Sequence, residues 1–130
     1  MTETASDMAF VRDLFAGLGA VNPRRMFGGV GLFMHGVMFG LIDEGVIFLK
    51  TDEALKADLA AEGARAWVYS HRKEPDEAWP RESAYWSMPD AASDDPEEAC
   101  AWARRALDIA LARKAAGPKK RSRKPVEKAD

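Results

Sequence analysis

Residues 26–50 read MFGGVGLFMHGVMFGLIDEGVIFLK, and the reading of this stretch decides the fold. Three apolar runs of strand length are separated by His35-Gly36 and by Asp43-Glu44-Gly45, the pattern of a three-stranded antiparallel meander. With His35-Gly36 as a two-residue turn, Met34 faces Val37, Phe33 faces Met38, Leu32 faces Phe39 and Gly31 faces Gly40. A three-residue loop at Asp43-Glu44-Gly45, its glycine left-handed, then sets Ile42 opposite Val46, Leu41 opposite Ile47, Gly40 opposite Phe48 and Phe39 opposite Leu49.

That register gives one face Val30, Leu32, Met34, Val37, Phe39, Leu41, Ile47 and Leu49, which is the expected core side. The other face carries Phe33, Met38, Ile42, Val46 and Phe48 around Gly29, Gly31 and Gly40, and so lacks the polar alternation of a solvated sheet. Phe48 is expected to lie over the side-chain-free strip at Gly31 and Gly40, with a helix, a second subunit or a partner protein completing the burial.

Upstream, Ser6 and Asp7 precede Met8, Val11, Leu14, Phe15 and Leu18, whose spacing of three and four residues predicts a helix. Gly17, Gly19 and Asn22-Pro23 end it. Downstream, Thr51-Asp52-Glu53 opens a second helix with Thr51 as cap, Leu55 and Leu59 inward and Gly63 at its exit. Ala66 to Ser70 reads as a fourth strand and Ala84 to Met88 as a fifth, joined by the charged, proline-broken run HRKEPDEAWPRE from His71 to Glu82. Asp95-Pro96-Glu97-Glu98 combines an N-cap, a first-turn proline and a capping-box glutamate, predicting a helix through about Ala115. Its apolar face is Ala99, Trp102, Ala103, Ala106, Leu107, Ala110 and Leu111.

The expectation is therefore an α+β domain over residues 1–116, with an antiparallel five-stranded sheet and the order α-β-β-β-α-β-β-α. Residues 117–130 lack apolar periodicity and read as a disordered basic tail. A chain of 130 residues at 47% hydrophobic content fits one domain. It has no apolar run long enough to span a bilayer and no secretory leader pattern, so a cytoplasmic protein is expected, and its one cysteine, Cys100, fits a reducing compartment.

Charge is unevenly spread. Residues 119–130 carry six basic and two acidic side chains, which leaves 13 basic against 19 acidic over residues 1–118. The acidic body argues against a broad nucleic-acid surface, so only Lys119, Lys120, Arg121, Arg123 and Lys124 are candidates for weak, non-specific phosphate contacts.

The segments MFGGVGLF, GVMFGLI and FLKTDE, followed by WVY, YWSMP and DPEEACAWARRAL, resemble the N-terminal domain of the TfoX/Sxy family over about residues 8–112. The resemblance implies an α+β arrangement like that of secretion chaperones. It also implies a cytoplasmic regulator of transcription and natural competence, acting with the cyclic-AMP receptor protein at promoters. Longer members of the family add a helical C-terminal domain, whereas this chain ends in the short basic tail. The family offers no catalytic residue to transfer.

Candidate chemistry is sparse. Gly28-Gly29-Val30-Gly31 lacks the strand-before, helix-after setting of a phosphate cradle, so a bulge or close-packing role is expected. His35 and His71 have no cysteine or carboxylate cluster at ligand spacing, and neither a metal nor a cofactor is expected. Cys100 shares a helix face with Leu107 and Leu111 and reads as an inert buried thiol; Glu97 and Glu98 read as helix-start charges rather than an acid–base pair. Arg24 and Arg25 read as solvated edge charges. With no convergent acid, base and nucleophile, the expectation is a non-enzymatic domain working through a protein partner or as a homodimer, with a small-ligand-binding domain as an alternative. Phe33, Met38 and Phe48 are its candidate contact residues, joined by Trp79, an aromatic isolated in the charged connection.

Overall fold

The computed structural model describes residues 2–26, 29–68 and 84–116. Its elements are α1 (Thr2–Leu14), β1 (Asn22–Met26), β2 (Gly29–Met34), β3 (Val37–Asp43), β4 (Val46–Lys50), α2 (Glu53–Ala61), β5 (Tyr85–Ser87), a 3-10 turn (Asp90–Asp94) and α3 (Pro96–Ala116). The strands form one open antiparallel sheet in the order β1-β2-β3-β4-β5. The α+β class and the five-stranded antiparallel sheet agree with the sequence reading.

The first strand and the fourth expected one differ. Asn22–Met26, where the sequence suggests only a helix stop at Asn22-Pro23 and edge charges at Arg24 and Arg25, is β1, paired with β2 from Asn22↔Phe33 to Met26↔Gly29. NPRRM has no apolar alternation, but an edge strand tolerates proline because one side of its backbone has no neighbour to bond. The expected strand at Ala66–Ser70 reduces to one bridge, Ala66↔Trp86, closed by Trp67 N–H donating to the Tyr85 carbonyl (2.8 Å) and Ser87 N–H to the Arg65 carbonyl (2.9 Å). Tyr69 and Ser70 lie outside the described residues.

Register is where the two readings part most sharply. Phe33↔Met38 is followed by Leu32↔Gly40, so Phe39 has no opposite number and forms a bulge. The bulge turns Ile42 into the core and Leu41 onto the back face, the reverse of strict alternation. The next turn is also one residue shorter than expected: Asp43 pairs with Val46, and Glu44 and Gly45 both have positive φ (53° and 81°), as a tight hairpin turn requires. The two one-residue shifts cancel. Ile47 and Leu49 therefore still face the core, while Val46 and Phe48 still face away.

On the core side, Val30, Leu32, Met34, Val37, Phe39, Ile42, Ile47 and Leu49 join Val11, Leu14, Phe15 and Leu18 of the α1 region and Ala99, Ala103, Ala106, Leu107 and Ala110 of α3 in one cluster. The alanine stripe of α3 lets its backbone approach β3 and β4 closely. Phe15 meets Phe39 edge-on at 6.0 Å between ring centroids. Full burial of side chains such as Phe15, Phe39, Leu32 and Leu49 contributes about 1.5–3 kcal/mol each.

The helix caps are chemically ordinary but not all where the sequence suggested. Asp52, not Thr51, caps α2, accepting from Leu55 N–H at 2.8 Å. Thr51 instead donates its N–H (2.7 Å) and its hydroxyl (2.9 Å) to the Ala84 carbonyl, tying the end of β4 to the entry of β5. Asp95 caps α3 through Glu97 N–H and Glu98 N–H (3.1 and 3.3 Å). Glu98 does not close a capping box; its carboxylate accepts from Trp102 Nε1 at 3.2 Å. No described helix is long and apolar enough to cross a membrane.

Candidate functional site

The back of the sheet is the surface that α1 and α3 leave uncovered. The face-sharing pairs put Arg24, Met26, Gly31, Phe33, Met38, Leu41, Phe48, Lys50 and Tyr85 on it. Leu41 and Phe48 are buried although they stand apart from the main core. Phe48 thus offers little open surface, and the Arg65 guanidinium lies 5.6 Å from its ring centroid. Nor does Phe48 cover a strip made by Gly31 and Gly40. Gly40 faces the core opposite Leu49, and a Cβ at Gly31 would fall against Met26 Sδ, Phe33 Cε1 (2.9 Å) and Met38 Sδ (3.1 Å).

The chain covers part of this face itself. Trp67, beside β5, donates Nε1–H to Asp43 Oδ2 at 2.9 Å and meets Tyr85 edge-on at 6.3 Å. Cations stack over the remaining aromatics: Arg24 lies 5.5 Å from the Phe33 ring centroid and the Lys50 ammonium 5.1 Å from that of Tyr85. An exposed pair such as Arg24–Phe33 contributes about 0.5–1 kcal/mol and keeps the cation's head in water, whereas Lys50 and Tyr85 are half-buried. The doubly apolar sheet expected from the sequence is thus a mosaic of aromatic and thioether surface under guanidinium and ammonium groups.

Phe33 and Met38 remain half-buried, neighbours across the β2–β3 hairpin beside Met26. They form the candidate contact patch, with Arg24 at its edge. Trp79, Lys119, Lys120, Arg121, Arg123 and Lys124, the other candidates from the sequence, lie outside the described residues. Phe10 was not foreseen and is 44% exposed; its signal is an aromatic that falls off the Met8-Val11-Leu14-Phe15-Leu18 stripe.

The groups with chemical potential are dispersed. Cys100 is half-buried against α1, with Sγ 3.7 Å from the Leu14 carbonyl oxygen. Among the described residues, no three His, Cys, Asp or Glu side chains converge as a metal site would require. Lys50 and Tyr85 have displaced acidities. Burial and then the nearby Arg113 charge push Lys50 below the usual lysine range; burial raises Tyr85 against the opposing influence of Arg113.

Comparison with known proteins bears on what this surface serves. The family described as the TfoX N-terminal domain matches residues 13–110, from the end of α1 to near the end of α3. No curated protein matches the chain.

Proposed function

Because this chain belongs to the TfoX N-terminal domain family, we propose that it is a non-catalytic regulatory domain of the cytoplasm that acts by docking a protein partner on the back of its sheet. The observation that carries this reading is the half-exposed Phe33–Met38 pair beside Met26, an apolar centre on a face that the chain's own helices leave open. An aromatic–thioether centre with a polar edge is the usual anatomy of a contact patch. Arg24 at its edge favours a partner whose apolar side chains are flanked by carboxylates. Family membership supports a regulatory role, with transcription as the natural output; competence is one such output.

Transcript profiling in the native organism tests the proposal. The folded double variant Phe33→Ser/Arg24→Glu, at wild-type abundance, is expected to reproduce the expression changes caused by deleting the gene. A deletion that leaves transcripts unchanged, or a double variant that restores the wild-type profile, overturns it. Light scattering on the pure chain distinguishes a partner from a second copy: a dimer that Phe33→Ser dissociates would make the occupant of this face another molecule of the same chain.

A further inference from the structure

A second surface, polar where the docking patch is apolar, lies where the last turns of α3 meet the His35-Gly36 turn and the adjoining ends of β4 and β5. It is an open cleft of ≈ 490 Å³, within the range of small-molecule sites, lined by Gly36, Met38, Lys50, Tyr85, Arg113 and Lys114 among others. Among the described residues, three cations and no carboxylate line it. Over residues 1–118 acidic side chains outnumber basic ones 19 to 13, so this local excess runs against the body's charge.

The three cations are held in different ways. Arg113 donates from Nη2 to the Thr51 carbonyl at 3.3 Å, and Thr51 is itself pinned to Ala84, so the guanidinium is anchored at the wall of the cleft. Lys50 leaves the end of β4 along the Tyr85 ring. Lys114 places its ammonium 3.1 Å from where a side chain at Gly36 would begin, so the glycine in the hairpin turn leaves room for it. None of the three has a carboxylate at ion-pair distance among the described residues. Asp52 and Asp108 line a separate concavity that shares Arg113 as a wall.

We propose that this cleft binds a small-molecule phosphate monoester, its oxygens held by Lys50, Arg113 and Lys114 and its organic part resting against Met38 and Tyr85. A dianion matches the charge of the site better than a monoanion, and a guanidinium flanked by two ammonium groups suits three phosphoryl oxygens. Burial beside Arg113 already disfavours the Lys50 ammonium, a strain that a bound anion would relieve. The cleft shares Met38, Lys50 and Tyr85 with the back of the sheet, but Arg113 and Lys114 belong to α3, so a substitution at Lys114 tests it apart from the docking reading.

The test is a titration of the full 15N-labelled chain with inorganic phosphate, phenyl phosphate and a phosphoserine peptide, each against chloride at matched ionic strength. Saturable amide shifts centred on Gly36, Lys50 and Lys114 are expected with both small phosphates, tighter with phenyl phosphate and absent with chloride. Lys114→Gln, at an exposed position, and Lys50→Gln should each weaken phenyl phosphate by about tenfold while the spectrum stays dispersed. The proposal falls if chloride reproduces the shifts, if both substitutions leave the affinity unchanged, or if only the phosphopeptide saturates.

Discussion

Two glycines of the same sheet should respond very differently to the smallest possible substitution. Gly40 faces the core, and a Cβ there would meet the Phe48 carbonyl oxygen at 2.8 Å and the methyls of Leu32 and Leu49 at 3.3 Å each. The nearest of these atoms is backbone of the neighbouring strand and can give way only by moving the sheet. Overpacking of that kind costs about 1–3 kcal/mol, offset by about 0.4–1 kcal/mol from the reduced entropy of the unfolded chain. Gly40→Ala should therefore destabilise by about 1–2 kcal/mol. Gly31 faces the back, where the methyl would meet the thioethers of Met26 and Met38 and the Phe33 ring edge. Unbranched methionine side chains can rotate away, and that cost should roughly cancel the entropic gain, leaving Gly31→Ala within about 0.5 kcal/mol of wild type. In urea, with a slope of about 1.5 kcal/mol/M for a small domain, Gly40→Ala should lower the midpoint by about 1 M and Gly31→Ala by less than about 0.3 M. Equal midpoints, or a larger loss at Gly31, would refute the bulged register that assigns the two glycines to opposite faces.

A double-mutant cycle between Trp67→Phe and Asp43→Ala should show a coupling of about 1 kcal/mol from the 2.9 Å indole–carboxylate bond, and purely additive losses would deny that Trp67 closes over the back face. Asp52→Ala and Asp95→Ala should each cost about 1 kcal/mol in urea unfolding by removing the caps of α2 and α3, whereas a negligible loss at Asp52 would return that role to Thr51. Lys50→Met should raise stability at neutral pH. Lys50 titrates lower folded than unfolded, so its penalty is full below the folded value and fades as pH rises toward the ordinary lysine range. The advantage of the methionine variant in urea midpoint should accordingly shrink between neutral pH and about pH 10. A gap that widens would reverse the assigned sign. Tyr85, raised by burial, acts in the opposite sense only above its ordinary range, where the unfolded phenol ionises first and stability falls.

The pattern of the chain alone determined a good deal. Two apolar runs meeting at His35-Gly36, the apolar stripe that begins at Met8 and the cap–proline start at Asp95 each have a local cause, namely side-chain period, turn chemistry or orphan amides, and each marks an element of the fold, although α1 runs from Thr2 to Leu14 and leaves Phe15 and Leu18 in the turn beyond it. β1 was invisible because Asn22–Met26 has no period of its own and is extended only because β2 offers it an edge. The bulge at Phe39 was equally hidden. Strict alternation is the simplest reading of VMFGLID, and only the packing of Ile42 rather than Leu41 against the helices breaks it.

The candidate sites divide along the same line. Phe33 and Met38 could be named from sequence because cross-strand neighbours follow from one turn. That Arg65 lies over Phe48, and that Lys50 shares a cleft with Arg113 and Lys114, could not: the first depends on the pairing of Ala66 with Trp86 beside β4, the second on the path of α3 over the sheet. Local periodicity fixes which face of an element is apolar. Which faces meet, and which charges are thereby crowded together, depends on long-range packing that no local pattern encodes.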